Sequence, residues 1–514
     1  MGGTLDPTLS VLAILFCGYL GTLVAAATRL PRIVPVILLG VALAPALHHS
    51  VLAACGDAAS AGSGGAVSAA SELRSFALLV ALARGGLTMQ LGNISRLRAP
   101  ALLLCVVPYF CELAVQAAVS RAALPDASGL SAAAGAMPLS LLAASVWAPL
   151  SPSIVIPNML HFVETGLPRT AGLVMTGAPI EVATALMTFS ALEGYIKGQQ
   201  AGTGGGVGEA LGWVAVQLVG SLAYGALFAG AFWLFVARVR PHPAVERLLA
   251  GSTTPPAQER LLVFIALFCL AYASCADYLV PKLVGLLAAL AMALGVQLLL
   301  PPLAAELAAA LKPVWLYAEA FLFVLTGVVV RAAIDTGSPA LGGGFLAVLA
   351  AGSVVRMLAD LAVAVAWQRA VARAGRAETP RESALVVLRR AAFLWSATTP
   401  KATLQASLGP KPASEALALG ISAATGAFVA QSCAVAILYM ALLGSVLTYS
   451  VGRAMGAWLE AYDGEGGEGG GGAAGGAGGS EAELKAGLLI NDGAEAGAAA
   501  VVVSSAAPPA APAL

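Results

Sequence analysis

The stretch Ser145-Val-Trp-Ala-Pro-Leu-Ser-Pro-Ser-Ile-Val-Ile-Pro157, SVWAPLSPSIVIP, decides the fold. It lies inside the apolar segment 130–162, which is too long for one helical passage through a membrane, and it contains three prolines. Proline removes a backbone donor and clashes with the preceding helical turn. Backbone groups freed in this way are tolerated at membrane depth only where they are buried in protein or line a cavity. The stretch therefore predicts a helix that is interrupted inside a membrane.

A second interruption is predicted late in the chain, in WSATTPKATLQASLGP (395–410). Interrupted helices in corresponding positions of the two halves point to the binding site of a secondary transporter. The first break, at Pro152, precedes the helix of Glu181, and the second break, at Pro400, follows the helix of Arg356. A simple kink is the alternative for each break alone, but their symmetric placement favours a site.

The composition places both breaks in a polytopic helical membrane protein. Of 514 residues, 59% are hydrophobic and only 11% are charged, whereas about a quarter would be charged in a soluble protein. The net charge is zero, so nothing suggests nucleic acid as a partner. Apolar stretches of about 20 residues, enough to cross a bilayer as helices, recur along the chain. We expect thirteen spans, near 9–28, 33–48, 73–91, 99–119, 130–162, 170–192, 208–236, 260–276, 281–300, 313–330, 343–367, 389–409 and 414–450.

Basic residues alternate between rich and poor loops, which sets the orientation of the spans. The rich loops contain Arg29, Arg32, Arg96, Arg98, Arg169, Arg238, Arg240, Arg247, Lys312, and six arginines between 369 and 390. By the positive-inside rule the N-terminus lies outside and the C-terminus in the cytoplasm. The membrane is either the plasma membrane or that of an organelle. Residues 1–459 form the transmembrane domain, and the Gly/Ala-rich tail 460–514 cannot bury a core and is expected to be disordered.

Few ionisable residues fall within the spans. Each costs several kcal/mol there unless it is paired with an opposite charge or hydrated. Such residues are functional candidates by default, with structural salt bridges between helices as the alternative. Glu181 has no basic residue within one turn on its own helix, so it is the leading candidate; a neutral carboxyl bonded to backbone is the alternative. The others are Arg84, Glu112, Glu319, Arg356, Asp360 and Lys401.

One of these charges has candidate partners. Arg356 has Asp360 one helical turn away and could pair with it there, or it could pair across helices with Glu112. Glu319 is expected to be structural or close to a helix end. His161, near a helix end, is a candidate pH sensor, although a solvated interfacial histidine is the more ordinary interpretation.

Several stretches resemble the NHA-type sodium/proton antiporters of the cation–proton antiporter superfamily. The resemblance runs in family order from about residue 9 to 450, and its strength lies in the order and spacing of the motifs. The matching stretches are RLPRIVPVILLGVAL (29–43), ELRSFALLVALARGGL (72–87), VPYFCE (107–112), LSPSIVIPNML (150–160), LFVLTGVVV (322–330), VVRML (354–358) and PKATLQASLG (400–409).

The resemblance implies an inverted-repeat fold with two broken, crossing helices, usually assembled as a homodimer. It implies a core domain, helices of about 73–192 and 313–409, that shifts to give alternating access. Family members carry two adjacent aspartates after the first break; Glu181 stands in the first place and Val182 in the second, which departs from the pattern. The family's arginine and its glutamate partner fall on Arg356 and Glu112. The first break (Ser151, Ser153) and the second (Pro400-Lys401-Ala402) also match.

A mechanism follows from this placement of one acid. Proton and cation are expected to compete for Glu181, because burial disfavours the charged carboxylate and a small cation can neutralise it equally well. Hydroxyls of Ser151, Ser153 or Thr184 and freed carbonyls would complete an oxygen shell. One carboxylate needs one neutralising charge, which predicts electroneutral 1:1 exchange whichever of the family's two places Glu181 represents.

The transported cation is Na⁺ or Li⁺ by resemblance, and K⁺ is compatible because the same oxygens serve all three. The supporting charges would be Arg84, Asp360, Lys401 and Glu319, and no cofactor is implied. The rival is a protein of the same fold that performs no cation exchange, such as a transporter of another small solute or a scaffold, and Val182 is the feature that favours it. An enzyme is disfavoured, since the sequence contains no HExxH, GxSxG or P-loop motif.

Overall fold

The fold is helical throughout the residues that the computed structural model describes. These are 7–28, 32–54, 69–89, 98–131, 137–164, 168–200, 207–243, 255–275, 283–373 and 380–468. Eight helical segments among them are long and apolar enough to cross a membrane, and Ile33–Pro45 and Gly285–Leu299 are shorter apolar helices. The predicted all-α polytopic fold is confirmed. The chain divides into two compact units, Met1–Asp463 and Gly464–Leu514.

The first unit contains nearly all of the described helices. The residues from 469 onward, most of the predicted tail, lie outside the described ranges, as does the His161 side chain. The helices are α1 (Pro7–Thr28), α2 (Ile33–Ala54), α3 (Ala69–Leu87), α4 (Arg98–Ala123), α5 (Met137–Trp147), α6 (Pro152–Glu164), α7 (Pro168–Gln200), α8 (Val207–Leu234), α9 (Pro256–Ala273), α10 (Gly285–Leu299), α11 (Pro301–Ala310), α12 (Lys312–Asp335), α13 (Gly343–Arg373), α14 (Pro380–Thr398), α15 (Thr403–Leu408), α16 (Lys411–Ser414) and α17 (Ala423–Glu468).

Each of the thirteen predicted spans contains a helix. Several helices begin or end outside the predicted bounds, and three of the differences have a local cause. The segment predicted as a loop between the ninth and tenth spans forms α11, because two prolines open it at the first helical positions and an alanine-rich run continues it. The twelfth span begins at Pro380 and not at 389, again with proline at the first helical position. The thirteenth begins at Ala423 and not at 414, because the chain turns through Gly420 at φ 62°.

Two of the predicted spans are interrupted, each at a proline. α5 ends at Trp147 because Pro149 disfavours helical geometry at the residue before it and has no N–H to donate. α6 then begins at Pro152, whose missing N–H costs nothing in the first turn. α14 ends at Thr398 in the same way, two residues before Pro400, and α15 resumes at Thr403.

The two breaks cross, and backbone groups of each bond to residues of the other stretch. The Ser151 amide donates to the carbonyl of Pro400 at 2.8 Å. The Gln405 side-chain amide donates to the carbonyl of Pro149 at 2.7 Å. Backbone groups freed by one proline-induced break are therefore satisfied by the other, which is the condition for irregular backbone at membrane depth.

The first break is held in place by the aromatic packing at the end of α5. The Trp147 ring is fully buried and packs edge-on against Phe345 of α13, with ring centroids 5.2 Å apart. Its indole nitrogen donates to the Ser432 hydroxyl of α17 at 3.0 Å. Edge-to-face aromatic pairs contribute about 0.5–1.5 kcal/mol beyond the area that they bury. The helix end before the break is thereby fixed to two other helices.

The helices α2 and α12 cross at two glycines. A methyl group on Gly40 would collide with the carbonyl oxygen of Val324, and one on Gly327 would collide with the carbonyl oxygen of Ile37. Because both obstacles are backbone atoms, no side-chain rearrangement can make room. Small residues permit such close helix contacts within membranes.

Replacing the glycine of α12 tests this contact. Gly327→Ala is expected to force α2 and α12 apart and to destabilise the fold by about 1–3 kcal/mol, as overpacking does. The midpoint of thermal unfolding in detergent should fall. Gly230→Ala in α8 is the control, because a methyl group there meets no atom within 4 Å. Equal midpoints for the two variants would show that the α2–α12 contact tolerates a side chain.

Candidate ion-binding site

Five ionisable side chains meet beside the crossing of the two breaks. They are Glu112 on α4, Glu181 on α7, Arg356 and Asp360 on α13, and Lys401 in the second break. Each is at most 1% exposed. A buried charge is stable only when it is paired and hydrogen-bonded. The pairing within the group therefore determines what it can bind.

Arg356 is at the centre of the group. Its Nη1 donates to Glu112 Oε2 at 2.7 Å and to the carbonyl of Ala148 at 3.1 Å. Its Nη2 donates to both carboxylate oxygens of Glu181, at 2.8 and 2.6 Å. Its Nε donates to the Thr398 hydroxyl at 3.1 Å. The guanidinium thus joins α4, α7, α14 and the first break through one planar group.

Glu112 receives the most donors of the three acids. Besides Arg356, the Lys401 ammonium donates to Glu112 Oε2 at 2.9 Å and also to the carbonyl of Ala148. Gln116, one turn further along α4, donates to Glu112 Oε1 at 3.0 Å. Of the two partners open to Arg356 from sequence, the structure places Glu112 in direct contact with it. Glu112 is thereby held by three side-chain donors on α4, α13 and the second break.

Glu181 is not the isolated acid that its own helix suggested. Besides the two bonds from Arg356, its Oε1 accepts the backbone amide of Leu150, in the first break, at 2.9 Å. The basic partner comes from α13, 175 residues away, so local spacing on α7 could not show it. Position 182, where the family pattern has a second acid, holds a buried valine packed in the apolar core.

Asp360 is close to Arg356 but receives none of its hydrogen bonds. Its Oδ2 accepts the Thr398 hydroxyl at 3.2 Å. Its Oδ1 has no hydrogen-bond partner within the part of the chain that is described. The Thr398 hydroxyl therefore lies between the Arg356 guanidinium and the Asp360 carboxyl, accepting from one and donating to the other.

Three hydroxyls form a cluster that spans both breaks. Ser151 Oγ lies 2.7 Å from Thr403 Oγ1 and 2.9 Å from Ser153 Oγ, and Ser153 lies 3.2 Å from Thr403. Ser151 and Ser153, which the sequence proposed as ligands, are thus placed next to Leu150 and its bond to Glu181. Thr184 differs, because its hydroxyl donates to the carbonyl of Ile180 on its own helix, at 2.9 Å.

Two predicted supporting charges belong to a different group. Glu319 of α12 accepts a hydrogen bond from Arg32 at 3.2 Å. Arg84 of α3 interacts electrostatically with these same two residues. The structure thus brings Asp360 and Lys401 to Glu181 and places Glu319 and Arg84 in a second charged group, where a structural role suffices.

A third group fixes the far end of α7. Lys197 donates to Glu193 at 2.6 Å and to Glu415, after α16, at 2.5 Å, while Lys411 donates to Glu193 at 2.8 Å. Burial raises the pKa of the Glu415 carboxyl. The helix that carries Glu181 is therefore tied to the segment that follows the second break.

Sequence reasoning missed the uncharged residues that complete the site. Thr398, Thr403 and Gln405 all lie within the second proline-containing stretch, and Gln116 lies one turn from Glu112. Polar residues beside an intramembrane charge, or within a helix break, were the signal available. Which charged side chains they bond to depends on how α4, α13 and α14 pack against each other, and this packing cannot be read from the sequence.

Comparisons with known proteins identify the fold. The sequence matches no protein-family model and no curated protein sequence. The structure is similar to that of the sodium proton antiporter MjNhaP1 from Methanocaldococcus jannaschii, with a TM-score of 0.62 and 15% sequence identity. The match covers 88% of this chain and 97% of that chain. It confirms the antiporter fold that the resemblance implied, and the neighbour is a transporter and not an enzyme.

Removing the Arg356 guanidinium tests the pairing of the buried charges. Arg356→Gln leaves Glu181 and Glu112 short of donors, and breaking a buried pair in this way costs about 3–5 kcal/mol. The thermal midpoint should fall sharply, and Glu181→Gln added to Arg356→Gln should restore part of it. Arg331→Gln is the control, because its pair with Asp335 is exposed and contributes at most about 1 kcal/mol. If Arg356→Gln and Arg331→Gln unfold at the same temperature, the buried cluster is not paired as described.

Proposed function

We propose that this protein exchanges a monovalent cation for a proton across a membrane, with Glu181 as the carboxylate that binds the cation. The observation that carries the proposal is a buried group of three carboxyls and two basic side chains where the two breaks cross. The fold similarity to a sodium proton antiporter supports it. Na⁺ or Li⁺ is the expected substrate, and K⁺ is compatible with the same oxygen ligands.

The charges of the group determine the stoichiometry. With Glu112, Glu181 and Asp360 ionised against Arg356 and Lys401, the group carries one excess negative charge. A buried unpaired charge is costly. The core helices that carry the group can therefore move between the two access states easily only after that charge is neutralised. One proton or one monovalent cation suffices for this. Exchange is therefore electroneutral and 1:1.

Glu181 is the most suitable carboxylate for the cation. It accepts the amide of Leu150, the residue before Ser151, whose hydroxyl clusters with those of Ser153 and Thr403. Hard cations are bound by oxygen ligands. Glu112, by contrast, is held by three side-chain donors. The cation has to displace the Arg356 guanidinium from Glu181, so this ion pair must open in each transport cycle. Thr184 can join the shell only by giving up its bond to Ile180.

The wider arrangement is proposed on the same basis. The core helices of about 73–192 and 313–409 move as the group binds and releases its ions, against a dimer partner formed by a second copy. The N-terminus faces outside and the C-terminus the cytoplasm, because the loops rich in arginine then lie inside. Homodimer formation and pH regulation are implied by the family resemblance.

Everted membrane vesicles test the exchange. In vesicles with an imposed proton gradient, added NaCl should cause fluorescence dequenching when the wild-type protein is present. Glu181→Gln should reduce the response to that of vesicles lacking the protein, since the amide cannot bind a cation by charge. Glu259→Gln, which removes a carboxylate of the first turn of α9 that pairs with Arg240, is the control and should respond as wild type.

The same assay separates the proposal from its rival. Dequenching by Na⁺, Li⁺ or K⁺ that is lost in Glu181→Gln supports exchange at this site. Inserted wild-type protein that responds to no alkali cation would favour a protein of this fold that transports another solute or serves as a scaffold.

A further inference from the structure

We propose that Asp360 holds the exchanged proton, and that Arg356 moves from Glu181 to Asp360 when a cation binds Glu181. This inference rests on the proposed exchange function and assigns the proton a site within it. The sequence-based expectation placed proton and cation on the same carboxylate, Glu181. The hydrogen bonds of the three acids favour separate sites.

The three acids differ in how well their negative charge is stabilised. Glu112 accepts from Arg356, Lys401 and Gln116, and Glu181 accepts from Arg356 and the Leu150 amide. Asp360 accepts only from the neutral Thr398 hydroxyl, and its Oδ1 is unpartnered and buried among the described residues. Leaving a buried acceptor unsatisfied is expensive, and far more so when it is charged. A proton bound to the group therefore belongs on Asp360.

The charged neighbours of Asp360 support the same assignment. Arg356 lies one turn away on its own helix, Glu112 faces it from α4 and Glu181 from α7. From α14 it meets the neutral Thr398. Two acids and one cation thus surround it, and the cation gives its hydrogen bonds to other acceptors. Protonation removes the repulsion between Asp360 and the other two carboxylates.

The geometry also provides a way to expel this proton. Arg356 and Asp360 are four residues apart on α13, so their side chains lie on one face of the helix. A cation on Glu181 neutralises the carboxylate that holds Nη2 and weakens its attraction for the guanidinium. The released guanidinium can then turn to Asp360, where it stabilises the ionised form. The O–H bond of Asp360 breaks, and the proton leaves to water in the open pathway.

The charge balance is the same in both loaded forms. Before binding, neutral Asp360 leaves two carboxylates against Arg356 and Lys401, so the group is neutral. Afterwards, three carboxylates face Arg356, Lys401 and one Na⁺, so the group is again neutral. One Na⁺ has entered and one proton has left. Asp360 thereby supplies, from α13, the second acid that α7 lacks at Val182.

Na⁺ binding to the purified protein in detergent tests this proposal. Wild-type affinity for Na⁺ should fall roughly tenfold for each unit of decreasing pH, with one proton released per Na⁺ bound, because the two ions are linked. Asp360→Asn mimics the protonated form, so its Na⁺ affinity should be weak and independent of pH, with no proton release. Asp335→Asn, on the exposed end of α12, is the control and should behave as wild type.

Three results separate the possible failures. Wild-type protein that shows no Na⁺-evoked proton movement in vesicles would remove the proposed function itself. Wild-type exchange together with wild-type pH dependence in Asp360→Asn would overturn only the assignment of the proton to Asp360. If Asp360→Asn does not fold, infrared difference spectra decide the matter. Na⁺ should abolish a protonated-carboxyl band, and Asp360→Glu should shift that band; a band unchanged in Asp360→Glu contradicts the proposal.

Discussion

The structure depends on one buried guanidinium. Arg356 donates hydrogen bonds to Glu112, Glu181, Thr398 and the carbonyl of Ala148, all inside the protein. Because none of these charges can be left alone in an apolar environment, the helices that carry them must converge. The same bonds hold the first break against α4, α7 and α14. A permanent bond between Arg356 and Glu181 would prevent cation binding, so the proposed function requires that this bond be exchangeable while the Glu112 bond stays.

The two breaks make that exchange feasible. Each releases backbone groups that a continuous helix would use internally, and each satisfies part of the other through Ser151, Pro400, Pro149 and Gln405. Two further backbone groups of the first break, the Ala148 carbonyl and the Leu150 amide, bond to Arg356, Lys401 and Glu181. Small movements of the breaks are thus coupled directly to the charges. Continuous helices at the same place would offer only side chains to an ion.

Much of the architecture could be predicted from sequence, whereas the site could be predicted only in part. Prolines and long apolar stretches are local signals, and they located both breaks and the spans. The pairing of Glu112 with Arg356 is one of two that the sequence allows. Glu181 looks isolated in the sequence because its partner lies on another helix. The predicted start of the last span, at 414, was wrong. The helix begins at Ala423 because the chain first turns at Gly420, a backbone conformation that an apolar run does not reveal.

The central claim is that the buried group carries one exchangeable charge, so that each loaded form is neutral. Exchange by purified protein in proteoliposomes, measured with and without an imposed membrane potential, tests this most directly. We predict a turnover rate that is unchanged by the potential, since no net charge moves with either ion. A rate that rises or falls steeply with voltage would show that net charge moves with at least one of the two ions, and it would contradict the account.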